Sequence, residues 1–181
     1  MIPDVKTSKE LWDKYELPLQ KRIHVEMVGK VALILAKKWK ERDTTIAIDE
    51  NLLLNSALLH DIDKNIKKLP GEHHPDAGMR ILKKEGMDEI AEVIRTHPLH
   101  MICSENTAPK TIEQRLLFLA DKMTKYECIG IDKRFLIWKE DDCDEESQVI
   151  LGTAYPKVVK LRDEILKSAG ITEEDLIQLV K

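Results

Sequence analysis

Apolar residues in this chain recur every three or four positions, not every second one, and that spacing constrains the fold more than any other feature. Between residues 19 and 40, Val28, Val31, Leu35 and Trp39 follow helical spacing, with Ala32 and Leu33 beside them. Gly and Pro number seven each and are thinly spread, and the alternation expected of strands is scarce. The pattern predicts an all-α fold. With only 4% aromatic residues, its core must be built mainly from Leu, Ile, Val and Ala.

The punctuation of the chain sets the expected elements. Thr7 or Ser8 is expected to cap a first helix carrying Leu11, Trp12 and Tyr15, stopped near Pro18. A second helix runs from about Leu19 to Lys40 and places His24 one turn before Val28 on the inward face. Asp49 is expected to cap a helix that carries Leu52 to Leu59 and delivers His60 and Asp61 at its end. If that helix continues one more turn, Lys64 points to the same side as Asp61. Proline is favoured at the first helical position, so His74-Pro75 predicts His74 as an N-cap. Gly78 inside that helix invites the explanation of a close backbone approach. The following helix, with Ile90, Val93 and Ile94 inward, breaks at His97-Pro98, and Thr111 opens another that ends in Leu119-Ala120-Asp121-Lys122. Pro156 is expected to kink or divide a helix over residues 148–168. Thr172-x-x-Asp175 has the form of a capping box for a last helix.

A length of 181 residues suits one domain with a full core, or one domain with a tail. The expected division is a domain over residues 1–140 and a helical extension over 141–181, with the acidic run Asp141 to Glu146 as the link. The extension has no histidine and is assigned to packing or oligomerisation, which includes a homodimer. A net charge of −4, from 29 basic and 33 acidic residues, gives no extended surface for a nucleic-acid backbone. The three cysteines Cys103, Cys128 and Cys143 lack Cys-x-x-Cys spacing and are read as reduced thiols. No apolar run approaches the roughly 20 residues of a membrane helix, and residues 1–7 do not have the character of a signal segment. A cytoplasmic protein is the expectation.

All six histidines lie between His24 and His100. His60-Asp61 ends an apolar run, and Asp121 ends another. An imidazole and a carboxylate beside buried residues are costly unless paired, and both offer lone pairs to a metal. The candidate ligands are His24, His60, Asp61, His74, His97 and Asp121, spread over five helices or helix ends. The ordinary alternatives are core histidines bonded to backbone carbonyls and a helix-terminal aspartate. For Lys64 the alternatives are a salt bridge to Asp61 or solvent exposure.

In order and local context these residues resemble the HD superfamily of metal-dependent phosphohydrolases. His24, His60-Asp61 and Asp121 match its His, His-Asp, Asp series, within Leu-Leu-His-Asp-Ile-Asp-Lys at 58–64 and Leu-Ala-Asp-Lys at 119–122. His74-Pro75-x-x-Gly78 and His97 are similar to the extra histidines of the two-metal branch, most of all its small members related to symmetrical dinucleoside tetraphosphate hydrolases. The resemblance covers about residues 20–128 and implies a compact multi-helix HD bundle. It departs at Asp63, where many relatives have a small residue, and after Arg134, where no pattern matches. Pro98-Leu99-His100-Met101 lacks the signature of cyclic diguanylate phosphodiesterases.

The resemblance implies two divalent transition metals. His24, His60, Asp61 and Asp121 would hold the first; Asp61 would bridge to a second held by His74 and His97. Iron, manganese, cobalt and zinc all suit such ligands. Paired cations lower the pKa of a bridging water and draw charge from phosphoryl oxygens. Asp61 and Lys64 would be the catalytic residues, and Lys64, Arg95 and His100 the substrate contacts. The expected substrate is a phosphorylated small molecule, a nucleotide or dinucleoside polyphosphate. The competing readings are a single-metal nucleotidase of the same superfamily, a non-catalytic nucleotide-binding module, and a di-iron oxygenase.

Overall fold

The computed structural model describes residues 1–141 and 144–181, so Cys143 lies outside the described residues. Helix α1 (Val5–Lys14) starts earlier than the expected Thr7 or Ser8 cap, because Asp4 accepts from the Thr7 backbone N–H at 2.7 Å. Ser8 instead turns inward and donates to Asn55 Oδ1 at 2.7 Å. Helix α2 (Leu19–Arg42) buries His24, Val25, Val28, Val31, Ala32, Leu35 and Ala36, a stripe at helical spacing. It is the hub of the fold, packing against four of the helices that follow.

Asp49 caps α3 (Glu50–Leu59) through the backbone N–H groups of Asn51 and Leu52. The helix stops at Leu59, and tight turns take over: Ile62 N–H donates to Leu59 O and Lys64 N–H to Asp61 O. Lys64 therefore reaches the side of Asp61 without a further helical turn. Helix α4 (Asp76–Lys84) has Pro75 as its N-cap, so the expected His74 cap is displaced by one residue. The reason is local: Asp76 sits in the first turn, and its carboxylate accepts the His73 N–H at 3.0 Å. Gly86, at φ +75°, ends this stretch before α5 (Asp88–Ile94). A 3-10 turn over Leu99–Cys103 follows His97-Pro98.

Helix α6 (Ile112–Lys122) opens with a full capping box between Thr111 and Gln114 and ends in Asp121-Lys122. Three helices follow: α7 (Ile131–Glu140), α8 (Glu145–Ala169) and α9 (Glu173–Leu179). Of the two expected outcomes at Pro156, division does not occur: α8 runs through it. Both Pro156 and Gly152, four residues earlier, are exposed, so the missing hydrogen bond falls on the water side. The Thr172–Asp175 capping box is complete.

Nine α-helices and no named strand are present among the described residues, apart from an isolated bridge between Thr124 and Cys128. Helix α8 packs on α2, α6, α7 and the 3-10 turn, and α9 packs on α2. No helix among the described residues is long and apolar enough to cross a membrane. Cys103 and Cys128 are free thiols.

Candidate metal centre

Each of four imidazoles is held by the ring nitrogen that faces away from the others. His24 Nδ1 lies 2.7 Å from Lys125 O, His60 Nδ1 2.8 Å from Ala57 O, and His97 Nδ1 2.6 Å from Ile94 O. A carbonyl oxygen can only accept, so these Nδ1 atoms carry the hydrogen. His74 Nδ1 meets the Asp63 carboxylate at 2.8 Å, which assigns it the same role. In the neutral ring this leaves the lone pair on Nε2, and the four Nε2 atoms turn towards one place.

The rings form a chain. Centroids are 5.3 Å apart for His24 and His60, 4.9 Å for His60 and His97, and 4.6 Å for His97 and His74. Asp121 Oδ1 is 3.0 Å from His24 Nε2 and 3.5 Å from His60 Nε2. Asp61 Oδ1 is 3.9 Å from His60 Nε2 and 3.5 Å from His74 Nε2. Two overlapping triplets, His24–His60–Asp121 and His60–Asp61–His97, each gather their ligand atoms within 4.8 Å. The six residues predicted from sequence are thus brought together from α2, the turn after α3, the loop before α4, the end of α5 and the end of α6.

Two observations fit this donor set to metal ions. His60 Nε2 is buried and has no hydrogen-bond partner among the described residues, a costly state for a polar atom unless a ligand meets it. His74 Nε2 and His97 Nε2 approach to 2.7 Å although both rings use Nδ1 as the donor. Facing lone pairs repel, so this contact calls for a proton or a metal cation.

Charge is dense here. Burial works against ionisation of Asp61, but His60, Lys64 and Lys21 outweigh it and hold its carboxyl well below the ordinary range. Burial opposes the charge on Asp121 in the same way, and Lys122, His24 and His60 overcome it and hold that carboxyl low too. Burial also opposes a charge on His60, but the two carboxylates push its pKa up. Burial, then His60 and His74, push His97 well down, which favours the neutral, ligating ring.

Several functional neighbours escaped sequence reading. Lys21 Nζ lies 2.9 Å from Asp61 Oδ2, opposite Lys64 Nζ at 3.3 Å from Oδ1. The Lys64–Asp61 ion pair weighed from sequence is therefore present. Lys21 precedes His24 by three residues and shares its face, a signal that was available in the spacing. Buried Lys122 pairs with Asp121, and Asp63 orients His74. Arg95 is not brought to the centre; it pairs with Glu92 at 3.1 Å on the surface. His100 sits exposed on the 3-10 turn, and its pKa is lowered by partial burial, then by Lys122, His74 and His73.

A cavity of about 420 Å³ opens beside His24, walled by Lys21, Lys64, Lys125, Arg134, Gln20 and Tyr126. Buried ligands below a cationic cavity suit metal-assisted hydrolysis of an anionic ester. The HD domain family matches residues 22–126, more than half of the chain. No curated protein and no solved structure gives a significant match. With this match and a buried His/Asp cluster of the matching kind in place, the chain belongs to the HD-domain family of metal-dependent phosphohydrolases.

Proposed function

We infer that the protein hydrolyses a phosphoester or phosphoanhydride of a nucleotide or dinucleoside polyphosphate, using two divalent transition metals. The observation that carries this reading is the convergence of four Nε2 atoms and two carboxylates. His24, His60, Asp61 and Asp121 would hold one metal, and His74 and His97, with Asp61 shared, the other. When bound, such metals supply Lewis acidity and a water acidic enough to attack phosphorus near neutral pH.

The chain's own residues do the rest. Asp63 and the three backbone carbonyls lock the rings, so the ligands need little reorganisation. Lys21 and Lys64 flank Asp61 and line the cavity. With Asp61 serving as a ligand, their charges would be available to phosphate oxygens and to the negative charge that builds there. Lys64 is the catalytic cation of this reading, and His100 is the weaker candidate to contact the leaving group. Action in the cytoplasm is part of this reading, and the free thiols of Cys103 and Cys128 suit it.

Elemental analysis of protein purified without added metal or chelator tests this, with the same sample assayed for release of phosphate or nucleotide from nucleoside polyphosphates. Two transition metals per chain with product release is the expected result. A second reading has one metal, because His60 belongs to both triplets and its single Nε2 lone pair serves one ion. One metal per chain with full turnover would establish that alternative. No metal, even after reconstitution with iron or manganese, would overturn both.

A further inference from the structure

Four cations line the cavity beside His24, and only two are engaged. Lys21 and Lys64 sit on the two oxygens of Asp61. Lys125 and Arg134 line the same cavity without an ion pair among the described residues, and no lining residue is acidic. Arg134 is half-buried, and its Nε is fully shielded with no hydrogen-bond partner among the described residues. Its guanidinium carbon lies over Trp138, 4.3 Å from the ring centroid, a cation–π contact that holds the group while its Nε–H stays unmet. A charge withdrawn from water without a partner is expensive. Burial accordingly lowers the pKa of Arg134, although Asp121, Asp141 and Asp61 act in the opposite direction.

Arg134 lies on α7, outside the matched residues 22–126. Lys125 lies at the edge of the match, and its backbone carbonyl fixes His24 Nδ1 at 2.7 Å. One residue thus lines the cavity and, through its backbone carbonyl, fixes the ring of His24, which ties the cavity wall to the centre.

We propose that Lys125 and Arg134 form a second anion subsite that takes the phosphate adjoining the one at the metal centre. The proposal rests on the phosphohydrolase reading above and narrows its substrate class to phosphate chains. A guanidinium fork binds two phosphate oxygens at once, and an ammonium beside it meets a third. A monoester with one phosphoryl group leaves this subsite empty. A diphosphate or longer chain fills it and relieves the desolvated charge.

Binding of methylenediphosphonate, which resists hydrolysis at its P–C–P link, is compared with binding of methylphosphonate by calorimetry on the full chain. Wild type is expected to prefer the diphosphonate by about ten-fold or more. Arg134→Gln and Lys125→Gln should each remove most of that preference, and Arg134→Lys should restore part of it. Circular dichroism checks folding; should Arg134→Gln not fold, half-buried Lys125 still supplies the decisive variant. A wild-type preference that survives both Gln variants, or no preference in wild type, overturns the subsite. A preference that depends on these residues, without hydrolysis of any phosphoester, would instead sink the proposed function and leave the subsite standing.

Discussion

His74 and Asp63 are joined by a 2.8 Å hydrogen bond from the ring Nδ1–H to a carboxylate with no exposed side-chain surface. His74 is the least buried ring of the four that converge, and it comes from a loop, so this bond replaces the backbone clamp that holds the other three. The other carboxylate oxygen, Oδ2, is buried without a hydrogen-bond partner among the described residues, so Asp63 carries a polar cost to hold the ring. Asp63→Ala is expected to lower metal affinity by about 10–100-fold. Metal retained after dialysis against a graded chelator is the measurement; wild-type retention would show that His74 needs no such support.

His60 has the strongest geometric claim to be a ligand. His60→Ala or Asp61→Ala should cut phosphate release by more than about 100-fold, beyond the usual loss from a supporting residue. Far-UV circular dichroism should be unchanged, since His60 follows the last residue of α3. Turnover near the wild-type rate in either variant would remove the centre from the mechanism.

Metal should stabilise the fold as well as activate it. The ligands come from distant parts of the chain, so the unfolded state binds metal less well. Manganese or zinc at 100 times its dissociation constant should add about 2.7 kcal/mol to metal-free protein. The shift in thermal melting should shrink in His24→Ala. An unchanged melting curve on saturation would speak against a preformed site.

The loop that carries His74 has an acid-sensitive tether. Glu72 pairs with Arg80 at 2.6 Å and accepts the Leu69 N–H at 2.8 Å. The Arg80 side chain first, then that backbone bond, hold its pKa down at about 2. Because the folded value is depressed, the tether is fully present above the ordinary glutamate pKa of about 4.3 and is lost as pH falls through 2. A carboxyl carbon-13 titration should place the Glu72 midpoint near 2, and Arg80→Gln should return it towards the ordinary value. A wild-type midpoint near 4.3 would mean that the pair does not persist in solution.

Gly78 lies in α4, where a Cβ would meet Ile94 at 3.4 Å and Ile62 at 3.6 Å, ordinary packing distances. The close approach suggested by the sequence is therefore not required. Gly78→Ala should stabilise the protein by about 0.5–1 kcal/mol through lower entropy of the unfolded chain. Urea unfolding measures it, and a loss of stability would show that α4 cannot adjust by even the small amount that contact needs.

Local spacing made the candidate cluster legible. His24 rides the buried stripe of α2, His60-Asp61 follows an apolar helix, and Asp121 ends another. Cap residues behaved the same way at Asp49, Thr111 and Thr172, where the partner lies within a few positions. What stayed hidden depends on tertiary approach. Asp63 serves a ring 11 positions later, and Lys125 supplies a carbonyl to a ring 101 positions earlier. Arg134 gains its setting from Trp138 and a cavity built by other helices, and nothing in its neighbourhood in sequence marks it. Arg95 had the right charge and a nearby position, but a glutamate three residues away claims it.

Helix α1 lies wholly before the matched residues, yet it reaches the segment that delivers the ligands. Trp12 Nε1–H donates to Leu58 O at 2.8 Å, and Ser8 to Asn55 at 2.7 Å, both in buried surroundings. The carbonyl of Leu58 stands at the end of α3, where the helix can no longer supply an amide of its own. An indole from outside the family's shared region closes that end, two residues before His60. A fragment trimmed to 22–126 would keep all six candidate ligands and lose the indole that closes this end of α3. The family's matched region and its mechanical support have different borders in this molecule, and the borders of support are the wider ones.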